Sequence, residues 1–270
     1  MTRIVWIYCG LAYLFTWSTS LLAYAAYTRA FLTLNQLNLI YNLGALGPFL
    51  AAMICSRYFY GRPGLRKFLG TFRFRSPGLP ALLISTSPVV FFLIGLLVFP
   101  LIEGRWYSFA DTRREFNLTD LTSYLAWILP FITYSILEEF GWRGFMLPHL
   151  QEKYSAFNST FLLTVFWASW HFPFFLWRFQ FSTFIAFGFF FSIFVGALLI
   201  TSTFNFSGGN ILSVILFHFT NNLASALDRG TIVATVSTCF IPLAIFILIK
   251  YGREHLASVP RVKNFYLNEE

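Results

Sequence analysis

The sequence predicts an all-α fold, a polytopic membrane helical bundle of about eight transmembrane helices with N and C termini cytoplasmic. Hydrophobic residues make up 57% of the 270 and charged residues only 11%, far from the mix that keeps a soluble domain's surface wet. Apolar stretches of about 20 residues, enough to cross a bilayer, recur along the whole chain with short polar gaps between them. Lysine and arginine fall unevenly across those gaps, which sets the orientation.

In chain order the predicted spans run Ile4 to Tyr27, Leu37 to Phe59, Leu79 to Leu101, Leu121 to His149, Asn158 to Trp177, Phe181 to Ser202, Gly209 to Leu227 and Ile232 to Lys250. The start, Met1-Thr2-Arg3, resembles a signal-peptide n-region. The apolar run behind it is too long for an h-region and has no small-residue cleavage site, so it is read as the first span. Within the second span, Gly44, Gly47 and Pro48 form a small-residue face suited to close helix packing. Between the second and third spans, Leu65, Phe68, Leu69 and Phe72 recur at i, i+3, i+4 and i+7. They predict an amphipathic interfacial helix, read first as a topology anchor and second as a contact for anionic lipid or a substrate tail. Gly208-Gly209-Asn210 reads as the turn between spans six and seven, and Gly104, Gly230 and Pro242 as punctuation or kinks.

The densest cationic cluster, Arg57, Arg62, Arg66, Lys67, Arg73 and Arg75, lies between spans two and three. The next gap mixes Arg105, Arg113 and Arg114 with Glu103, Asp111, Glu115 and Asp120. The basic loop is therefore cytoplasmic, and the tail bearing Lys250, Arg253, Arg261 and Lys263 agrees. The formal net charge of +8 is then a topology signal, and no nucleic-acid partner is expected. Cys9, Cys55 and Cys239 sit in separate apolar segments and predict neither a disulfide framework nor a CxxC metal pair. No repeat, linker or composition shift divides the chain. Residues 1–270 read as one transmembrane domain, expected in the cell membrane, with 121–227 as the core that carries the chemistry.

That chemistry starts in the fourth span, at Glu138-Glu139-Phe140-Gly141-Trp142-Arg143. An acid or base at mid-helix costs roughly 2.5 to 3.5 kcal/mol even on lenient insertion scales, so three such groups need compensation. Glu139 and Arg143 stand at i, i+4 and can pair on one face. Glu138 lies about 100° round the helix and must find other partners. A structural ion-pair cluster would account for Glu139 and Arg143 but not for a second acid. Desolvation and the neighbouring carboxylate suit Glu138 to the work of a general base.

His171 lies in the apolar fifth span, where alone it would read as a satisfied core residue. In the seventh span, His218 and Asn222 stand at i, i+4 on one helical face. Counted from the cytoplasmic ends of their spans, Glu138 is about 11 residues deep, His171 about 13, His218 about 9 and Asn222 about 13. At 1.5 Å per residue those heights agree within roughly 6 Å, so the groups can converge. A carboxylate, two imidazoles and a carboxamide are the parts for adding water to an acyl carbon. Glu138 would take a proton from water, His171 would orient it, and His218 and Asn222 would donate to the developing oxyanion. The same Glu and His set could hold a divalent metal such as zinc. The reading preferred is metal: none, with no cofactor, because an Asn paired with His218 suits an oxyanion hole better than a zinc shell. The chain has no His-Glu-x-x-His helix, no Gly-x-Ser-Gly element and no pair of membrane aspartates. A non-enzymatic binding protein using the same cavity, or a proton-coupled transporter, would use the same residues differently.

At these residues the chain resembles the CPBP family, the CAAX protease and bacteriocin-processing (Abi) intramembrane proteases. The family pattern has three blocks: Glu-Glu-x-x-x-Arg, aromatic-x-x-x-His and His-x-x-x-Asn. Here they are Glu138-Glu139 with Arg143, Trp167 with His171, and His218 with Asn222. Trp167 stands where the family's usual residue is Phe. The Gly47-Pro48 and Gly64-Leu65-Arg66 segments resemble its N-terminal half. The resemblance implies intramembrane proteolysis near the cytosolic side by a glutamate protease, with Glu138, His171, His218 and Asn222 catalytic and Glu139 and Arg143 supporting. It implies a peptide or protein tail as substrate, prenylated in some members, and membrane lipids as surroundings. The family is often labelled metalloprotease. Other members are linked to bacteriocin maturation or to immunity, where a non-enzymatic immunity or scaffold role is the alternative.

Overall fold

A computed structural model describes residues 3–71, 76–178, 182–228, 230–264 and 266. Phe72, Arg73 and Arg75 of the basic loop, and Phe181 at the predicted start of the sixth span, lie outside the described residues. The described residues form helices α1 (Arg3–Thr28), α2 (Leu34–Gly44), α3 (Leu46–Leu69), α4 (Leu79–Glu103), α5 (Phe109–Glu115), α6 (Leu121–Gly141), α7 (Leu147–Gln151), α8 (Ala156–Trp170), α9 (Thr183–Phe206), α10 (Ile211–Leu227) and α11 (Thr231–His255). A π-helical turn, Trp142–Met146, joins α6 to α7, and a 3₁₀ turn, Phe172–Leu176, follows α8.

Among the described residues six helical stretches are long and apolar enough to cross a membrane: Arg3–Thr28, Leu34–Leu69, Leu79–Glu103, Leu121–Gln151, Phe187–Phe206 and Thr231–His255. The chain is a multi-pass membrane protein. The helices at the positions of the predicted fifth and seventh spans, α8 and α10, are shorter, with 15 and 17 residues. They rise about 22 and about 26 Å, against a hydrocarbon core of about 30 Å. His218 and Asn222 lie on α10, and His171 directly follows α8. Pro173 stops α8 early, because it has no N–H to continue the ladder.

Local chemistry sets the helix ends. Asp120 caps α6 in a reciprocal box with Ser123, whose N–H donates to Asp120 Oδ1 at 2.8 Å. Asn210 Oδ1 accepts from Leu212 N at 3.0 Å and starts α10, directly after the Gly208-Gly209 turn, where both glycines have positive φ. Gly61 takes φ 68° and kinks α3. Beyond the kink the helix is amphipathic, with Phe68 buried and Arg62 and Arg66 exposed.

α1 packs on α3, α3 and α10 pack on α6, and α4 lies against α10 and α11. The small-residue face of the second span makes the close approaches. Gly47 lies against Thr16 and the Ala12 carbonyl of α1, with no room for a Cβ. A Cβ on Gly141 would stand 2.7 Å from the Pro48 carbonyl oxygen, so α3 and α6 touch backbone to backbone just after the two glutamates. The C-terminal segment folds back over the bundle end. Arg261 Nε donates to the Gln151 carbonyl at 2.8 Å, and the Tyr266 hydroxyl donates to the Gly144 carbonyl of the π turn at 3.0 Å. Cys9, Cys55 and Cys239 are free thiols.

Candidate active site

The two glutamates end α6, where the backbone widens into the π turn. Such a turn inserts a residue without breaking the helix, and the Leu147 N–H reaches back to the Trp142 carbonyl. The register change occurs where Gly141 meets Pro48, so the end of α6 is held on its neighbour as it turns. Glu138 is 1% exposed, and Glu139 and Arg143 are fully buried.

Glu139 Oε1 accepts from two cations or potential cations. Arg143 Nη1 donates to it at 2.9 Å and His218 Nδ1 donates at 2.7 Å. The i, i+4 pair expected from spacing forms, and α10 joins it. Glu139 Oε2, Arg143 Nε and Arg143 Nη2 are buried without a hydrogen-bond partner among the described residues. The guanidinium instead lies over the Trp167 ring, 4.3 Å from its centroid, a favourable stack of cation on π face.

Glu138 turns away from that pair, as its position on the helix requires, and accepts at Oε2 from the Trp167 indole N–H. His171 caps the end of α8, and its Nδ1 donates to the Trp167 carbonyl at 2.7 Å. A carbonyl only accepts, so Nδ1 carries the proton, and in the neutral ring Nε2 keeps its lone pair. Trp170, Phe174 and Phe189 surround this imidazole at ring-centroid distances of 4.9, 5.8 and 5.3 Å. The Trp167 ring also meets His218 edge-on at 5.7 Å. Thus α6, α8 and α10 bring Glu138, Glu139, Arg143, His171 and His218 around one tryptophan.

Asn222 sits one turn beyond His218 on α10 and is half-buried. Its Nδ2 donates to Ser135 Oγ at 3.4 Å, one turn before Glu139 on α6. It therefore borders the cluster from the side, without a direct bond to the acids or histidines among the described residues. Glu138 Oε1, His171 Nε2 and His218 Nε2 likewise make no hydrogen bond to a described residue. These three atoms are the open valences of the site.

Two links were not expected from the sequence: the indole donor to Glu138 and the Glu139–His218 bond. The signal for the first was an indole N–H on the same predicted face as His171, since a buried donor must find an acceptor. Among the described residues no three His, Cys, Asp or Glu side chains gather as a metal-ligand group. The Nδ1 bonds leave each histidine its Nε2 atom, and the indole leaves Glu138 its Oε1, the donor types that a divalent metal takes.

Residues 120–224 match the family model described as type II CAAX prenyl endopeptidase, Rce1-like, and all three motif blocks fall inside that stretch. The chain is also 27% identical over 223 residues to a protein of Methanococcus maripaludis named CAAX prenyl protease 2. That similarity covers 77% of this chain and 82% of the relative.

Proposed function

We propose that Glu138 is the general base of this chain, which belongs to the Rce1-like family of CAAX proteases and is an intramembrane endopeptidase. The observation that supports it best is the set of three open valences, Glu138 Oε1, His171 Nε2 and His218 Nε2, around Trp167. Glu138 removes a proton from a water that His171 Nε2 holds by accepting its other hydrogen. The water oxygen adds to the scissile carbonyl carbon, and the oxyanion that forms takes hydrogen bonds from His218 Nε2 and Asn222 Nδ2. Collapse breaks the C–N bond, and the proton on Glu138 passes to the leaving amine.

The His218 bond to Glu139 adds a condition. With Nδ1 donating to Glu139, donation from Nε2 requires the imidazolium form, and the Glu139 carboxylate is its counter-charge. Arg143 balances the same carboxylate in the resting state. Glu139 and Arg143 therefore support His218 without touching the substrate.

The substrate is a protein or peptide at the membrane. We further propose a C-terminal CAAX tail whose cysteine is prenylated, the lipid lying in the bilayer beside the helices and the peptide reaching the buried glutamate. Purified protein in lipid nanodiscs should release the three terminal residues from a farnesylated CAAX peptide, and mass spectrometry reads the product. Equal cleavage of the farnesylated and the bare peptide would overturn the prenyl requirement. Binding of the peptide with no cleavage would overturn the enzymatic reading in favour of a binding protein.

A further inference from the structure

Trp167 makes four separate contacts with the site. Its indole N–H donates to Glu138 Oε2, its carbonyl accepts from His171 Nδ1, its ring stacks under Arg143, and its edge meets His218. Three of the four need only a backbone carbonyl and an aromatic ring. The N–H alone is specific to tryptophan, and it is directed at one oxygen of Glu138, which, unlike Glu139, has no cation within bonding distance among the described residues.

We infer that the Trp167 indole N–H is a positioning group for the reaction: it holds Glu138 Oε2 so that Oε1 alone faces the water that His171 orients. The inference rests on Glu138 being the base, as proposed above. A carboxylate at the end of a helix rotates about its terminal torsion, which is broad and roughly two-fold. Without a bond to one oxygen, the base would share its time among orientations, and only some of them face the water. Trp167 fixes that torsion through its side chain and the direction of His171 through its backbone. The two groups that act on one water are thus indexed to a single residue, and α6 and α8 keep the relation as a unit. The ring itself is anchored by Arg143, which Glu139 holds in turn. This gives the supporting pair a second task, holding the indole plane from which the N–H points.

The test replaces the N–H and nothing else. Amber suppression installs β-(3-benzothienyl)alanine at position 167, which keeps the bicyclic shape but carries sulfur in place of N–H. The matched control installs 7-azatryptophan at the same position, which retains the N–H. In nanodiscs with the farnesylated peptide, the benzothienyl protein should lose roughly 10- to 100-fold in kcat with KM unchanged, the range expected for one bond to a charged acceptor. The azatryptophan protein should stay within a few fold of natural kcat, and thermal unfolding midpoints should agree within a few degrees. Benzothienyl kcat within twofold of natural would overturn the inference. So would a rise in KM at constant kcat, which would make the indole a substrate contact. Loss of activity in step with loss of folded protein would overturn it too, because the role would then be structural. Glu138→Gln is assayed alongside. If that variant keeps activity, the base assignment has failed; if it is inactive while the isostere is not, only the role of Trp167 has.

Discussion

His218 Nδ1 donates to Glu139 Oε1 at 2.7 Å, and that same oxygen accepts from Arg143 at 2.9 Å. One buried carboxylate oxygen thus ties α10 to the end of α6, while the paired oxygen and two guanidinium nitrogens stay without partners among the described residues. Removing one member of a buried charge pair leaves the other uncompensated, which typically costs about 3 to 5 kcal/mol. Glu139→Leu should therefore lower the thermal unfolding midpoint markedly. Glu139→Leu combined with Arg143→Met should recover most of that stability, because both charges are gone. Activity should not return with it, since His218 still lacks its acceptor. Full activity in the double variant would show that the Glu139 bond to His218 has no catalytic role.

Gly141 and Pro48 predict a packing effect that reaches the chemistry. A Cβ at position 141 would stand 2.5 Å from Pro48 Cβ and 2.7 Å from its carbonyl oxygen, so α6 must back away from α3. Overpacking of this kind costs about 1 to 3 kcal/mol. Gly141→Ala should lower the unfolding midpoint and, by moving the segment that carries Glu138, reduce kcat as well. A variant with both quantities unchanged would show that the contact does not place the site.

Asn222 is poised through Ser135 and not through the acids, so its loss should leave the ion-pair cluster intact. Asn222→Ala is expected to reduce kcat by roughly 10²- to 10³-fold, the cost of one oxyanion donor, with KM little changed and the unfolding midpoint within a few degrees. Ser135→Ala should have a much smaller effect. Equal losses in the two variants would mean that their mutual bond is what matters.

Metal dependence has a direct check. The proposed mechanism uses Glu138 Oε1, His171 Nε2 and His218 Nε2 without a cation. Activity is expected to survive exhaustive chelation, in protein whose metal content is measured on the same sample. Loss of activity that zinc alone restores would overturn the side-chain mechanism.

Much of this site was legible in the sequence, because a charge inside an apolar helix has so few solutions. Spacing alone paired Glu139 with Arg143 and turned Glu138 elsewhere, and α6 does both. The small residues around Gly47 and Pro48 likewise read as packing and pack. What hydropathy could not reveal is backbone register. The π turn at Trp142–Met146 and the kink at Gly61 change the hydrogen-bond ladder without changing the apolar count. The short α8 was hidden for the same reason, since Phe172-Pro173-Phe174-Phe175-Leu176 continues the hydropathy while Pro173 ends the helix. Trp167 was read for its ring, and its N–H needed the position of Glu138 in space to become informative. The short helix α5, in which Asp111 takes both Arg105 and Arg114 at 2.6 Å, lies in a polar gap with no apolar period to find.

The central claim is that the Glu138 carboxylate is the base, and the most direct measurement is kcat of Glu138→Gln on the farnesylated peptide in nanodiscs. The amide keeps the size of the side chain and can still accept from Trp167, so folding and peptide binding should persist. The account predicts a fall in kcat of at least about 10²-fold, toward 10⁴-fold, at nearly constant peptide affinity. A folded Glu138→Gln protein that cleaves within tenfold of the natural rate would contradict it.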